Sequence, residues 1–259
     1  MLLSEQLYEI ALECRDLFLE GFYSNQDVKY KGTVDLVTEY DVAIEKHLSL
    51  KLKEKFPEYV LVGEENTKEM HYPSRAIYID PIDGTTNFVH GIEHCAISIG
   101  MWKEGVPVAA LVYNPVLEEC FRADAGKGAY LNGKALHVST QTSLQQSLVA
   151  TGFPYTKVQR GKDYEWVLKN ISNLLPITRD IRRLGSASLD MCYLAQGKFD
   201  VYYECNLKPW DVAAGILIVQ EAGGKITNGY AKPYMFSDNV LVATNTLVHN
   251  ELLENFVQY

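Results

Sequence analysis

Long apolar runs, paired cysteines and basic charge are all scarce in this chain, and each scarcity removes a class of function. No uninterrupted hydrophobic stretch approaches the ~20 residues that span a bilayer, so a membrane protein is not expected. The opening MLLSEQLYEIALECRD turns acidic at Glu5, and no basic segment leads into an apolar run, which disfavours a secretion signal. Cys14, Cys95, Cys120, Cys192 and Cys205 are odd in number and scattered, with no CxxC pair. A disulfide framework and a zinc knuckle are therefore both disfavoured, and a reducing cytoplasm is the simplest setting. Lysine and arginine total 24 against 33 aspartates and glutamates, a net charge of −9. That balance argues against nucleic acid as the primary ligand and against an anionic membrane surface. It would also repel an anionic substrate unless cations bind first, which directs attention to metal.

What is present is ordinary core material. Hydrophobic residues make up 47% of 259 positions and charged residues 22%, so a compact fold is expected, as one large α/β domain or two fused halves. Leu3, Leu7, Ile10, Cys14 and Leu17 recur at helical spacing, as do Ile44, Leu48, Leu52 and Phe56, and predict two opening helices with an extended stretch from Val28 to Thr38 between them. Short apolar runs at 60–62 and 76–79 then end abruptly in acidic residues, the pattern of buried strands delivering carboxylates at their ends. Strand-like runs at 96–102, 106–113 and 120–123, separated by turn signals, predict an antiparallel meander. Farther on, strands are expected near 147–151, 199–204 and 239–244, with helices near 162–174, 186–197 and 210–222. No linker marks a clean boundary, and the expected division is 1–145 and 146–259.

The most informative stretch is IYIDPIDGTTNF at 77–88, in which Asp80 and Asp83 flank a turn stiffened by Pro81. Such a turn can aim both carboxylates and the Ile82 carbonyl at one point, which suits a hard cation that takes several oxygens and leaves room for water and phosphate. If Thr85 and Thr86 open a helix, the amides around Gly84 to Thr86 offer donors to an anion. The plainer alternative is a surface turn with an Asx cap. Glu64 and Glu65 close the run LVGEE, and Asp211 follows Trp210 ahead of an apolar helix; singly these read as a solvated loop and an N-terminal cap. Their joint occurrence with DPIDGT favours a site.

These segments resemble the inositol monophosphatase family, within the superfamily of metal-dependent, lithium-sensitive phosphatases. The resemblance rests on Gly63, Glu64 and Glu65, on DPIDGTTNF at 80–88 and on WDVAAG at 210–215. DLVT at 35–38 with Asp41, and Gly185, Ser186 and Ala187, also fit it, so it covers nearly the whole chain. The resemblance implies a layered αβαβα sandwich of the α/β class, a homodimer and hydrolysis of a small phosphate monoester such as inositol monophosphate. Glu64, Asp80 and the Ile82 carbonyl would hold one Mg2+, Asp80, Asp83 and Asp211 a second, and a third would sit near Glu64. Thr85 and Asp41 match the pair that polarises the attacking water, and Gly84 and Thr85 the phosphate cradle. Asp83, Ala187, Glu204 and Asp211 fall where substrate hydroxyls are contacted, and Arg182 matches a basic residue near that pocket in bacterial members. The loop at 151–156 and Asn206 to Lys208 resemble bacterial members more than animal ones.

Other readings stay open on sequence alone. The site could serve fructose 1,6-bisphosphate or another sugar or nucleotide phosphate, or belong to a noncatalytic metal- or partner-binding protein. His90 and His94, four apart, could be zinc ligands if they shared a helix face.

Overall fold

The structure, a computed structural model, describes residues 1–24, 29–30, 36–67 and 69–259. Two helices, α1 (Leu3–Leu12) and α2 (Arg15–Tyr23), lead to short strands β1 (Lys29–Tyr30) and β2 (Leu36–Val37), which pair antiparallel. The remainder of the predicted extended stretch, residues 28 and 31–35, lies outside the described residues. The helix α3 (Glu39–Lys55) follows. A seven-stranded sheet is built from β3 (Val60–Gly63), β4 (Arg75–Asp83), β5 (Ala96–Lys103), β6 (Val106–Asn114), β7 (Glu119–Asp124), β8 (Ala129–Leu131) and β9 (Lys134–Ala135), in chain order. Only β3 and β4 run parallel; from β4 onward it is the predicted meander. The short helix α4 (Thr85–Val89) sits between β4 and β5.

A second, five-stranded sheet takes the order β11–β10–β12–β14–β13, from β10 (Leu148–Thr151), β11 (Asp180–Arg182), β12 (Val201–Cys205), β13 (Lys225–Thr227) and β14 (Val240–Thr244). Its helices are α5 (Lys162–Leu174), α6 (Ala187–Ala195), α7 (Pro209–Glu221) and α8 (His249–Glu254). Strand alternation distributes side chains to two faces. Ile97, Ile99 and Met101 of β5 join Leu7, Phe18, Ile44 and Leu48 of the opening helices. Ala96, Ala110 and Val112 face the other way, onto α6 and α7. Those two helices also cover Tyr202, Leu241 and Ala243 of the second sheet, so one core joins both halves. On that sheet's far side α5 and α8 bury Trp166, Leu174 and Leu252 against Val201 and Tyr203. The layers are therefore α, β, α, β, α, as the resemblance implied.

Two local departures from expectation have physical causes. The single helix expected over 3–17 breaks, because Glu13 and Cys14 bond three residues back, to Ile10 and Ala11, and tighten the last turn of α1. Its apolar stripe continues across the break, with Cys14 and Phe18 in the same cluster as Leu7 and Ile10. The strand expected to stop at Ile79 instead runs through Pro81 to Asp83, and its register against β5 shifts between Asp80 and Asp83. Proline cannot donate to a ladder, so it is accommodated in this bulge, which turns successive side chains toward one side.

Candidate active site

The bulge opens onto a cavity of about 380 Å³. Glu64, Asp80, Ile82, Asp83, Gly84, Thr85, Ala187, Glu204 and Asp211 all line it, so segments far apart in the chain are brought together. Each carboxylate is delivered by a specific piece of structure. Glu64 follows the end of β3, and its amide is tied to the Ile79 carbonyl at 3.1 Å. Asp80 and Asp83 come from the bulge, where Asp80 Oδ1 accepts from the Ile82 amide at 3.0 Å. Asp211 lies in the first turn of α7, and its Oδ2 accepts from the Lys208 amide at 2.6 Å. It is not the cap residue ahead of the helix that its sequence position suggested: Lys208 is the N-cap, and Asp211, the third residue of α7, reaches back to that cap's amide and lines the cavity as well.

The packing of α7 fixes where Asp211 can be. Gly100 of β5 has no room for a side chain, because Ala213 lies against it, and the Trp102 indole donates to the Ala213 carbonyl at 3.1 Å. Gly84 is required for a related reason: its φ is +89°, and a Cβ there would press on the His94 carbonyl at 3.0 Å. Asn87 ties α4 in place by donating to the carbonyls of His94 at 2.7 Å and Leu184 at 2.8 Å. Asp83 Oδ2 accepts from the Ser186 hydroxyl at 2.6 Å and the Ser188 amide at 2.7 Å, which gives the Gly185–Ser186–Ala187 segment a direct role in orienting it.

Asp41 reaches the site from the start of α3. It turns back to accept from the Thr38 amide at 2.7 Å and the Thr38 hydroxyl at 2.6 Å, a capping box legible as T-x-x-D in the sequence. Its other oxygen accepts from the Thr85 hydroxyl at 3.2 Å, and that hydroxyl also lies 3.0 Å from the Ile82 carbonyl. Burial raises the Asp41 carboxyl to about 6.

The electrostatics are those of a site built for positive charge. Burial pushes Asp80 well above the usual carboxylate range, and the neighbouring charges with the largest effect, on Glu64, Asp83, Asp211 and Asp41, all push it the same way. Asp211 is raised by burial and then by Glu64. Among the described residues no three His, Cys, Asp or Glu side chains are arranged to enclose an ion as they stand. The carboxylate oxygens are instead turned to Ile82, Ser186, Ser188 and Lys208, within one cavity.

Some sequence-level assignments fall elsewhere. Arg182 is not among the residues lining the cavity; it pairs with Asp180 at 2.5 Å, and Arg183 lines the cavity instead. His90 is exposed, whereas His94 is buried and meets Asp190 at 3.1 Å, so the two histidines do not share a metal-binding face. All five cysteines are buried and free, and burial raises the thiols of Cys95 and Cys192, as expected of core residues. Phe153, Tyr155, Lys208 and Trp210 also line the cavity, and the sequence offered no periodic signal for them.

Glu204 provides a test of these electrostatics. Desolvation pushes its carboxyl up to about 7 from the ordinary 4.5, although Tyr202 donates to it at 2.7 Å. A carboxyl raised by folding favours the folded state below its ordinary value and loses that contribution as pH rises through the folded value. Glu204→Gln keeps an oxygen for Tyr202 and cannot ionise. Its melting temperature relative to wild type, without metal, is therefore expected to climb by a few degrees between pH 4.5 and pH 8, read by calorimetry. A difference that stays flat over that interval would contradict the assignment.

Comparison with known proteins bears on the family and the fold. Residues 3–259 match the Inositol monophosphatase family. Inositol monophosphatase 3 of Solanum lycopersicum is 38% identical over 250 residues, covering 93% of this chain and 92% of that protein. Nus factor SuhB of Pseudomonas aeruginosa is 40% identical over 229 residues, covering 87% and 84%. The crystal structure of extragenic suppressor protein SuhB from Bartonella henselae superposes with a TM-score of 0.88 at 32% identity, over 96% of each chain. Motifs, layered fold and full-length similarity agree: the chain belongs to the inositol monophosphatase family and is a phosphoric monoester hydrolase.

Proposed function

We propose that this enzyme hydrolyses a small phosphorylated polyol, with inositol monophosphate the first candidate, using Mg2+ held by Glu64, Asp80, the Ile82 carbonyl, Asp83 and Asp211. The observation that carries this reading is the meeting of those groups in one cavity beside the hydrogen-bonded pair of Thr85 and Asp41. The donors are all oxygens, the choice of a hard cation, and their mutual repulsion is relieved by divalent charge. Two or three ions suit this number of carboxylates: Glu64, Asp80 and Ile82 for one, Asp80, Asp83 and Asp211 for a second, and Glu64 for a weaker third. Mg2+ held by these residues would supply Lewis acidity to activate the attacking water and positive charge to stabilise the departing oxygen.

The chain's own groups supply position and proton handling. The Thr85 hydroxyl lies within hydrogen-bond distance of Asp41 Oδ1 and of the Ile82 carbonyl, and donating to Asp41 would leave Thr85 Oγ1 turned to accept a hydrogen from water. The amides of Gly84 and Thr85 lie at the start of α4, where helix donors lack intrahelical acceptors, and are offered to phosphate oxygens. Asp83, Asp211, Ala187 and Glu204 line the cavity and would meet substrate hydroxyls there, and Arg183, which lines it too, would take the part that the resemblance gave to Arg182. Residues 1–145 thus contribute Glu64 and the DPIDGT bulge, while 146–259 contribute Asp211 and the substrate wall. The fuller reading is a cytoplasmic, lithium-sensitive homodimer, and the five buried free thiols fit a reducing compartment.

Phosphate release from inositol 1-phosphate and fructose 1,6-bisphosphate, measured with Mg2+ and after chelation, tests this function. Chelation is expected to remove at least about 99% of turnover, since a metal-supplied nucleophile and charge are worth several kcal/mol. The expected kcat/KM is higher for inositol 1-phosphate. Turnover undiminished by chelation would contradict the metal reading, and a clear preference for the bisphosphate would overturn the substrate. Glu204→Gln should change the ratio of kcat/KM between the two substrates while leaving the Mg2+ midpoint in place.

A further inference from the structure

Asp41 and Glu45 are one helical turn apart on α3, so they share a face of that helix. Asp41 reaches Thr85, while Glu45 is fully buried and directed at the loop that carries Glu64. Glu45 Oε2 accepts from the Glu65 amide at 2.8 Å. Its Oε1 accepts from the Asn66 amide at 3.1 Å and from the Asn66 side chain at 2.6 Å. Gly63, just before Glu64, has no space for a Cβ because the Glu45 carboxylate occupies it. Among the described residues Glu45 makes no ion pair, so three N–H donors from this one loop are what compensate its buried charge.

An apolar side chain would fill this place at less desolvation cost. What a carboxylate adds is a fixed conformation for residues 63–66: two oxygens aligned with two successive amides permit few backbone arrangements. The Glu64 amide is fixed independently by the Ile79 carbonyl at 3.1 Å, so Glu64 is held from β4 on one side and from α3 on the other. We infer that Glu45 is a positioning residue, which presents Glu64 to the metal by bracing the loop immediately after it. Through α3 the same helix then sets both the Thr85–Asp41 pair and the Glu64 ligand. This inference rests on the proposed metal role of Glu64.

Glu45→Gln is the sharpest probe, because an amide keeps the size but offers one acceptor oxygen, and its NH2 must face a backbone N–H. Mg2+ binding measured by calorimetry without substrate is expected to weaken about 10-fold or more, the usual consequence of disturbing a ligand's supporting shell. At saturating Mg2+, KM for inositol 1-phosphate should stay within about twofold of wild type. Asn66→Ala, at an exposed position that keeps the backbone donors, should shift the Mg2+ midpoint the same way by about threefold. A purely structural role would lower turnover equally at every Mg2+ concentration. A folded Glu45→Gln or Asn66→Ala protein that binds Mg2+ within twofold of a Mg2+-binding wild type would overturn this inference alone. Absence of Mg2+ binding by the wild type would overturn the metal reading and this inference with it.

Discussion

Asp83→Asn is expected to lower kcat by at least about 1,000-fold while leaving the enzyme folded. The buried Asp83 carboxylate uses one oxygen to accept from Ser186 and Ser188, and an asparagine carbonyl can accept the same two bonds. The scaffold should therefore survive. On the proposed reading what is lost is a negative charge shared between a metal and the substrate, and about 4 kcal/mol of lost transition-state stabilisation corresponds to that factor. The same substitution removes one of the charges that raise Asp80, so the metal-free variant should melt at or above the wild-type temperature. The gain in melting temperature on adding Mg2+ should shrink. Steady-state kinetics with paired melting curves checks both halves; near-normal turnover would refute the role of Asp83.

The second large effect is expected at Thr85. Its hydroxyl lies 3.2 Å from Asp41 Oδ1 at the first position of α4, where alanine is well tolerated by a helix. Thr85→Ala should therefore preserve the fold and the Mg2+ midpoint yet reduce kcat by about 10² to 10⁴, the range for losing a proton-handling group. Thr85→Ser, which restores the hydroxyl, should recover turnover to within roughly tenfold on the same grounds. An alanine variant with kcat close to wild type would show that the Thr85–Asp41 pair does not activate the attacking water. Loss of Mg2+ affinity instead of kcat would move Thr85 into the metal shell.

The site was more legible in the sequence than the elements around it. Asp80, Asp83, Glu64 and Asp211 each end or begin an apolar segment, and chain segments buried that deeply rarely terminate in carboxylates without a use for them. The long elements were also readable: α5 spans Lys162–Leu174 as its spacing indicates, because an amphipathic helix of that length carries several repeats of its period. Short ones gave no such repeat. The three-residue strands β11 and β13 and the six-residue α8 are set by pairing and docking rather than by pattern.

Arg182 and Arg183 show a different limit. Arg182 is the last residue of β11 and Arg183 the first beyond it, so the choice between two adjacent arginines depends on where the pairing of β11 with β10 stops, which is invisible in the local sequence. The bulge at Pro81 was likewise hidden, since a proline after an apolar run reads as the end of a strand. Glu45 lies between helix positions that pack the core, and only the loop folded against α3 reveals what its carboxylate holds.

The central claim concerns where cations bind. A crystal of this enzyme grown with Mn2+ and inorganic phosphate, with data collected at the manganese absorption edge, locates the ions directly. The account predicts anomalous peaks within bonding distance of Glu64, Asp80, the Ile82 carbonyl, Asp83 and Asp211, with phosphate between them and the Gly84 and Thr85 amides. Peaks elsewhere, or a phosphate bound in the cavity with no metal between it and those carboxylates, would contradict it.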